Sequence, residues 1–117
     1  MSRVIVAGGR DFDSRSRMRE VMDKHMGPET VVVCGMAPGA DRLAWDQATA
    51  WGIPIDEHPA KWDQYGKAAG ARRNREMAKV ADILVAVWDG KSPGTKDMIT
   101  VALAEGLEVH VYRYHNV

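Results

Sequence analysis

The chain has one cysteine, one phenylalanine, no surplus of either charge and no apolar run approaching membrane-spanning length. Each shortage excludes something. With Cys34 alone there is no internal disulfide, so nothing in the composition asks for an oxidising compartment. Sixteen Lys and Arg offset sixteen Asp and Glu, whereas a protein that displaces counterions from many phosphates ordinarily carries a basic surplus. A general nucleic-acid partner is therefore not expected. His25, His58, His110 and His115 are widely spaced and form no metal-ligand pattern, so no metal is expected. Met1 is followed within three residues by a strand pattern, without a basic and apolar leader, and no membrane partner is expected. Cytoplasm is the expected location. No repeat, low-complexity tract or linker-like shift interrupts residues 1–117, and an apolar content of 45% suits one domain with its own core.

What is present is an alternation of short apolar runs with helical patterns. Arg3 to Ala7, Thr30 to Cys34, Ile53 to His58, Ile83 to Trp88 and Glu108 to Tyr112 read as strands, the first four from β-branched or apolar runs and the last from period-two alternation. Ser14 to His25 reads as a helix capped by Asp13 or Ser14 and stopped by Gly27-Pro28. Asp41 to Trp51, Arg72 to Val80 and Thr95 or Lys96 to Glu105 read as further helices, with Gly52 and Gly106 as left-handed terminators. Residues from Pro59 to Gly70 lack a clear period and read as an ordered loop with about one helical turn. Strands alternating with helices predict right-handed βαβ crossovers. The expected fold is a single Rossmann-like, three-layer α/β domain with a mostly parallel five-stranded sheet ordered 3-2-1-4-5. Pro54 cannot donate to a ladder, which puts the third strand at an edge.

Three strands run out into small-residue loops: Gly8-Gly9-Arg10, Gly35 to Asp41, and Asp89 to Thr95. Backbone N–H groups at a helix start hold phosphate or carboxylate oxygens, and ligands in open α/β sheets bind at the carboxyl ends of the strands where the order reverses. The first and third loops fall at that point. Gly90 to Thr95 reads either as such a phosphate loop or as an ordinary βα turn, and it is not a Walker A motif because Lys91 precedes the glycine-threonine pair. A carboxylate at Asp41 would repel phosphate, which suits that residue to ligand hydroxyls or to structural capping.

Six basic residues against two acidic ones between Lys61 and Lys79 make either a solvated face or an anion-binding patch. In the second case Arg73 grips a phosphate or carboxylate and Asn74 reads polar edges. Trp62 and Tyr65 are candidates for stacking on a base, or for packing in the core or a lid. Cys34, inside an apolar run, reads as a buried thiol and not as a nucleophile. Ser92 lacks both the G-x-S-x-G elbow and an assignable histidine partner.

Taken together, Val6 to Phe12, Gly35 to Asp41, Pro59 to Trp62, Gly66 to Met77 and Trp88 to Thr95 resemble the YspA/YpsA-related branch of the SLOG superfamily, in order and over nearly the whole chain. The resemblance implies a Rossmann-like domain for nucleotide-derived ligands such as ADP-ribose, NAD-related compounds or nucleoside monophosphates. Its relatives include Lonely Guy-type phosphoribohydrolases, which cleave the N-glycosidic bond of nucleoside monophosphates, and sensor domains that bind without turnover. In those hydrolases an arginine before the fourth strand corresponds to Arg73, and the loop glycines and threonine to Gly90, Gly94 and Thr95. Their catalytic glutamate falls on Met98. Asp97 stands one residue away, a rotation of about 100° on a helix.

The leading expectation is a module that binds or senses a nucleotide-derived small molecule, with no resident cofactor and in a homo-oligomer. Phosphate is assigned to the Gly90 to Thr95 loop with Ser92 and Gly94, its charge to Arg73, and polar groups to Asn74 and Asp89. Gly8, Gly9 and Gly39 are expected to let backbone approach ligand. Arg10, Gly35, Asp41 and Trp62 complete the candidate binding set. The alternative activities are a nucleoside 5′-monophosphate N-glycosidase, with Arg73, Asp89 and Asp97 as catalytic candidates and Asp41 as a further carboxylate, and a DNA-processing accessory.

Overall fold

Strand β1 (Ser2–Gly8) is apolar on both faces, and Val4, Ile5 and Val6 are wholly inaccessible to solvent. A run of that kind belongs between two helical layers, and β1 is the central strand of a five-stranded parallel sheet in a computed structural model that describes residues 2–115. The sheet order is β3-β2-β1-β4-β5, formed with β2 (Thr30–Cys34), β3 (Ile55–Glu57), β4 (Ile83–Trp88) and β5 (Glu108–Arg113). This is the expected order, with the strand that follows Pro54 at one edge.

Alternation along the strands divides the core in two. Val4, Val6, Val32, Cys34, Val85 and Val87 face helices α1 (Arg15–Asp23) and α2 (Ala40–Ala50), where Met18, Met22, Leu43 and Ala44 pack on them. Ile5, Ala7, Val33, Leu84 and Ala86 face the opposite layer, where α4 (Ala69–Val80) and α5 (Pro93–Ala104) contribute Met77, Ala78, Met98 and Ala102. Each large aliphatic side chain removed from water here is worth about 1.5–3 kcal/mol. Among the described residues no helix is long and apolar enough to cross a membrane.

The element ends differ from the sequence reading by small amounts, each with a local cause. Helix α1 is capped by Ser14, whose hydroxyl accepts from the Arg17 N–H, and it closes before His25 because His25 and Met26 both donate to the Met22 carbonyl. Strand β3 is shorter than expected because the Ile53 N–H closes α2 on the Ala48 carbonyl, although the Pro54 carbonyl still accepts from Val32. Helix α5 begins two residues early, with Pro93 at its first position, where a missing N–H costs nothing. The loop expected from Pro59 to Gly70 contains a short helix α3 (Trp62–Tyr65) and one 3₁₀ turn (Gly66–Ala68), and then runs directly into α4.

Candidate functional site

The loops that follow β1, β2 and β4 lie together at the carboxyl end of the sheet. Between them opens a cleft of about 680 Å³. Its walls include Gly8, Gly9, Arg10, Asp41, Trp62, Arg73, Asn74, Asp89, Ser92, Gly94, Thr95 and Asp97, which are residues expected from the sequence. Gly35, Gly39 and Gly90 are not among its lining residues. Tyr65 is also outside the cleft, its ring lying 3.9 Å from the Arg72 guanidinium. Lys67 joins the lining from the basic run, and Gly70, Ala71, Met77, Asp11 and Ala37 join it without having been singled out beforehand.

The loop from β4 to α5 is braced from inside. One Asp89 oxygen accepts from the N–H groups of Lys91 at 2.8 Å and Ser92 at 2.7 Å, while the Trp88 indole donates to the Ser92 carbonyl. Those backbone donors, Ser92 before Lys91, hold the Asp89 carboxyl below the usual carboxylate range. Two N–H groups of the loop are thus spent on Asp89, and Pro93 has none. The Ser92 side chain does not cap the helix but donates to the Thr95 hydroxyl at 3.3 Å. This leaves the Gly94 and Thr95 N–H groups without an acceptor among the described residues, at the positive end of a 12-residue helix. A Cβ at Gly94 would meet no described atom within 4 Å, so that side of the helix end is open.

Arg73 and Asn74 form the bridge between the two walls. The Arg73 guanidinium donates through Nη1 to the Gly35 carbonyl and through Nε to Asn74 Oδ1 at 3.1 Å. Asn74, buried, donates in turn to Asp97 Oδ2 at 2.9 Å and to the Gly94 carbonyl at 3.4 Å. The side-chain amide that the sequence assigns to a ligand is thereby engaged by protein groups on both its oxygen and its nitrogen. Arg73 keeps Nη2 without an acceptor among the described residues. Asp97 and Met98 both line the cleft, so the one-residue offset does not remove the carboxylate from it.

Asp41, in the first turn of α2, is 5% exposed. Its Oδ2 accepts from the Ala37 N–H at 3.1 Å. Burial pushes the carboxyl up to about 6, against the Ala37 N–H and the charges of Arg73 and Arg10. Beneath it Cys34 is fully buried and donates to the Asp41 carbonyl; burial first, then Asp41, push its thiol up to about 12. A thiol held there is protonated at neutral pH and inert.

The glycines serve the protein's own contacts. A Cβ on Gly9 would sit 1.8 Å from the Tyr114 hydroxyl, which donates to Asp11 at 2.7 Å; one on Gly39 would strike the Arg10 carbonyl. At Gly35 it would meet the Arg73 guanidinium and the Asp41 carboxylate, and at Gly90 the Arg113 guanidinium. Gly39 and Gly90 also have positive φ, at 79° and 85°, a region open to glycine at little cost. Trp62 stands at the mouth, half exposed, with its ring centroid 6.0 Å from the Arg10 guanidinium. Among the described residues no group of His, Cys, Asp and Glu is placed to hold a metal ion.

Comparison with known proteins gives this arrangement a lineage. A sequence profile of the YspA, cpYpsA-related SLOG family (YAcAr) matches residues 2–65, which carry the first two glycine loops and Trp62. The Gene 61 protein of Mycobacterium phage D29 is 34% identical over 120 residues, covering 93% of this chain and 94% of the relative. The X-ray structure of DNA processing protein A (DprA) from Streptococcus pneumoniae superposes with a TM-score of 0.79 at 20% identity. That likeness is one of fold, and it spans all of this chain but 52% of the DprA chain. The chain belongs to the YspA, cpYpsA-related SLOG family.

Proposed function

We propose that the protein binds a phosphorylated, nucleotide-derived small molecule in the cleft between β1 and β4. The observation that carries this reading is the convergence of two unengaged α5 N–H groups, at Gly94 and Thr95, with the free edge of Arg73 and with Lys67 and Arg10 around one open volume. A helix start with open N–H groups takes a phosphate, and guanidinium groups add charge-assisted hydrogen bonds. Trp62 offers a ring face for a base, and Ala7, Met77 and Met98 an apolar floor. Family membership supports the nucleotide-related class.

The test is mass spectrometry of ligand retained and released after incubation with AMP, other nucleoside monophosphates, NAD and ADP-ribose. Retention of an intact compound, weakened by Arg10→Ala, is the expected result. Failure to retain any of them at millimolar concentration counts against the reading.

A hydrolase reading has one observation behind it, the carboxylate of Asp97 inside the cleft. In such a reaction the C1′–N bond breaks, water supplies the oxygen that bonds to C1′, and its proton ends on the base. Asp97 would stabilise the oxocarbenium-like charge. Free base and ribose 5-phosphate appearing in the same incubation would establish it. The DNA-processing reading rests on likeness of fold alone and has the neutral net charge against it.

A further inference from the structure

We infer that Asp41 is the specificity residue of the cleft, and that its free carboxylate oxygen selects a ligand with ribose hydroxyls over its 2′-deoxy counterpart. The inference rests on the proposed function and names the sugar that the site takes.

Asp41 is held by the protein through one of its two carboxylate oxygens. Oδ2 is held by the Ala37 N–H, and Gly35 leaves it room, since a Cβ there would lie 2.9 Å from that oxygen. Oδ1 receives no hydrogen bond from any described residue. Neither of the two arginines whose charges act on Asp41 donates to it: Arg73 donates to Gly35 and Asn74, and Arg10 lies beside Trp62. A carboxylate 95% buried that lines a cleft, and whose second oxygen is open to it without a donor from the described residues, is placed to accept from a ligand. Its charge rules out phosphate as that partner and calls for a donor, which on a nucleotide-derived ligand is a hydroxyl or an amino group.

Position selects the donor. Asp41 follows β2 and the open N–H groups precede the body of α5, so β1 lies between the two ends of the site. Strands two places apart in a sheet are separated by about 10 Å, and with α2 and α5 on opposite faces the two ends of the site lie at least that far apart, room for a phosphate and a pentose. A ligand whose phosphate sits on Gly94 and Thr95 therefore presents its sugar hydroxyls toward Asp41. The negative charge of Asp41 favours the same direction of entry by repelling the phosphate end.

Calorimetric titration with AMP, 2′-deoxyAMP, adenosine, ribose 5-phosphate and 2-deoxyribose 5-phosphate tests the assignment, on the wild-type protein and on Asp41→Asn. In the variant the amide oxygen can still accept from Ala37 while the other position becomes a donor. The wild-type protein should prefer each ribo compound over its deoxy partner by about tenfold, the scale of one charge-assisted hydrogen bond, and Asp41→Asn, whose amide pairs with a hydroxyl only through a weaker neutral hydrogen bond, should reduce that ratio severalfold. Equal affinities for the ribo and deoxy compounds in the wild-type protein would overturn the assignment whether or not the variant folds. A ratio that survives Asp41→Asn would overturn it too, as would discrimination by the base with none by the sugar. Equal affinity for adenosine and AMP, with the preference for AMP over 2′-deoxyAMP retained, would support Asp41 while refuting the phosphate half of the proposed function. Absence of any binding would refute both.

Discussion

The Asn74 amide nitrogen lies 2.9 Å from Asp97 Oδ2, tying the first half of α4 to the first turn of α5 across the floor of the cleft. The pair is buried on the Asn74 side, and the same nitrogen also reaches the Gly94 carbonyl. Asn74 is therefore a positioning residue for the helix end whose N–H groups face the cleft.

Asn74→Ala should destabilise the fold by about 1–2 kcal/mol, since it leaves Asp97 and the Arg73 Nε without their partner. Urea denaturation checks the stability, and ligand titration checks the consequence for the site. Loss of ligand affinity with unchanged stability would instead point to direct contact between Asn74 and ligand.

Much of the fold was legible because it depends on local patterning. β-Branched runs gave the strands, Gly52 and Gly106 ended helices, and Pro54 put β3 at an edge. The site was legible as a set of loops but less so as a set of roles. Asn74 looks like a ligand contact in sequence because Asp97, the group that engages it, is 23 positions away. Gly9 and Gly39 look like clearance for a ligand, whereas the Tyr114 hydroxyl and the Arg10 carbonyl fill that clearance from distant parts of the chain. Lys67 and Met77 carry no signal beyond a basic run and a helix core. Successive helix residues point about 100° apart, but the cleft is wide enough to touch both Asp97 and Met98 of α5.

Asp41 makes stability depend on pH with a definite sign. Its folded-state carboxyl titrates near 6, above its ordinary value of 3.8, so the folded state holds the proton more tightly. Stability from this group is complete below about pH 3.8 and is lost as pH rises through about 6. The loss is of order 2–3 kcal/mol at most. Relative to Asp41→Asn, the wild-type protein should thus lose stability between pH 4 and pH 7; parallel stability curves for the two proteins across that window would contradict the assignment.

Gly9→Ala should destabilise by about 1–3 kcal/mol, because the added methyl meets the Tyr114 hydroxyl and displaces it from Asp11. Tyr114→Phe removes the colliding oxygen, so the double variant should recover part of the loss. A double-mutant cycle of melting temperatures reads this directly, and strict additivity would show that the contact is not the cause.

Trp62→Ala should leave the melting temperature nearly unchanged, since the side chain is 48% exposed. Affinity for a nucleotide should fall by about tenfold if a base stacks on the ring. An equal fall for ribose 5-phosphate, which has no base, would assign Trp62 to shaping the loop instead.

The most direct test of the central claim is a titration of ¹⁵N-labelled protein with AMP and with ADP-ribose, followed by amide chemical shifts. The account predicts the largest changes at Gly94 and Thr95, with smaller ones at Gly9, Arg10 and Asp41. Changes confined to the far end of the sheet, around His25 and His110, or no changes at millimolar ligand, would contradict it.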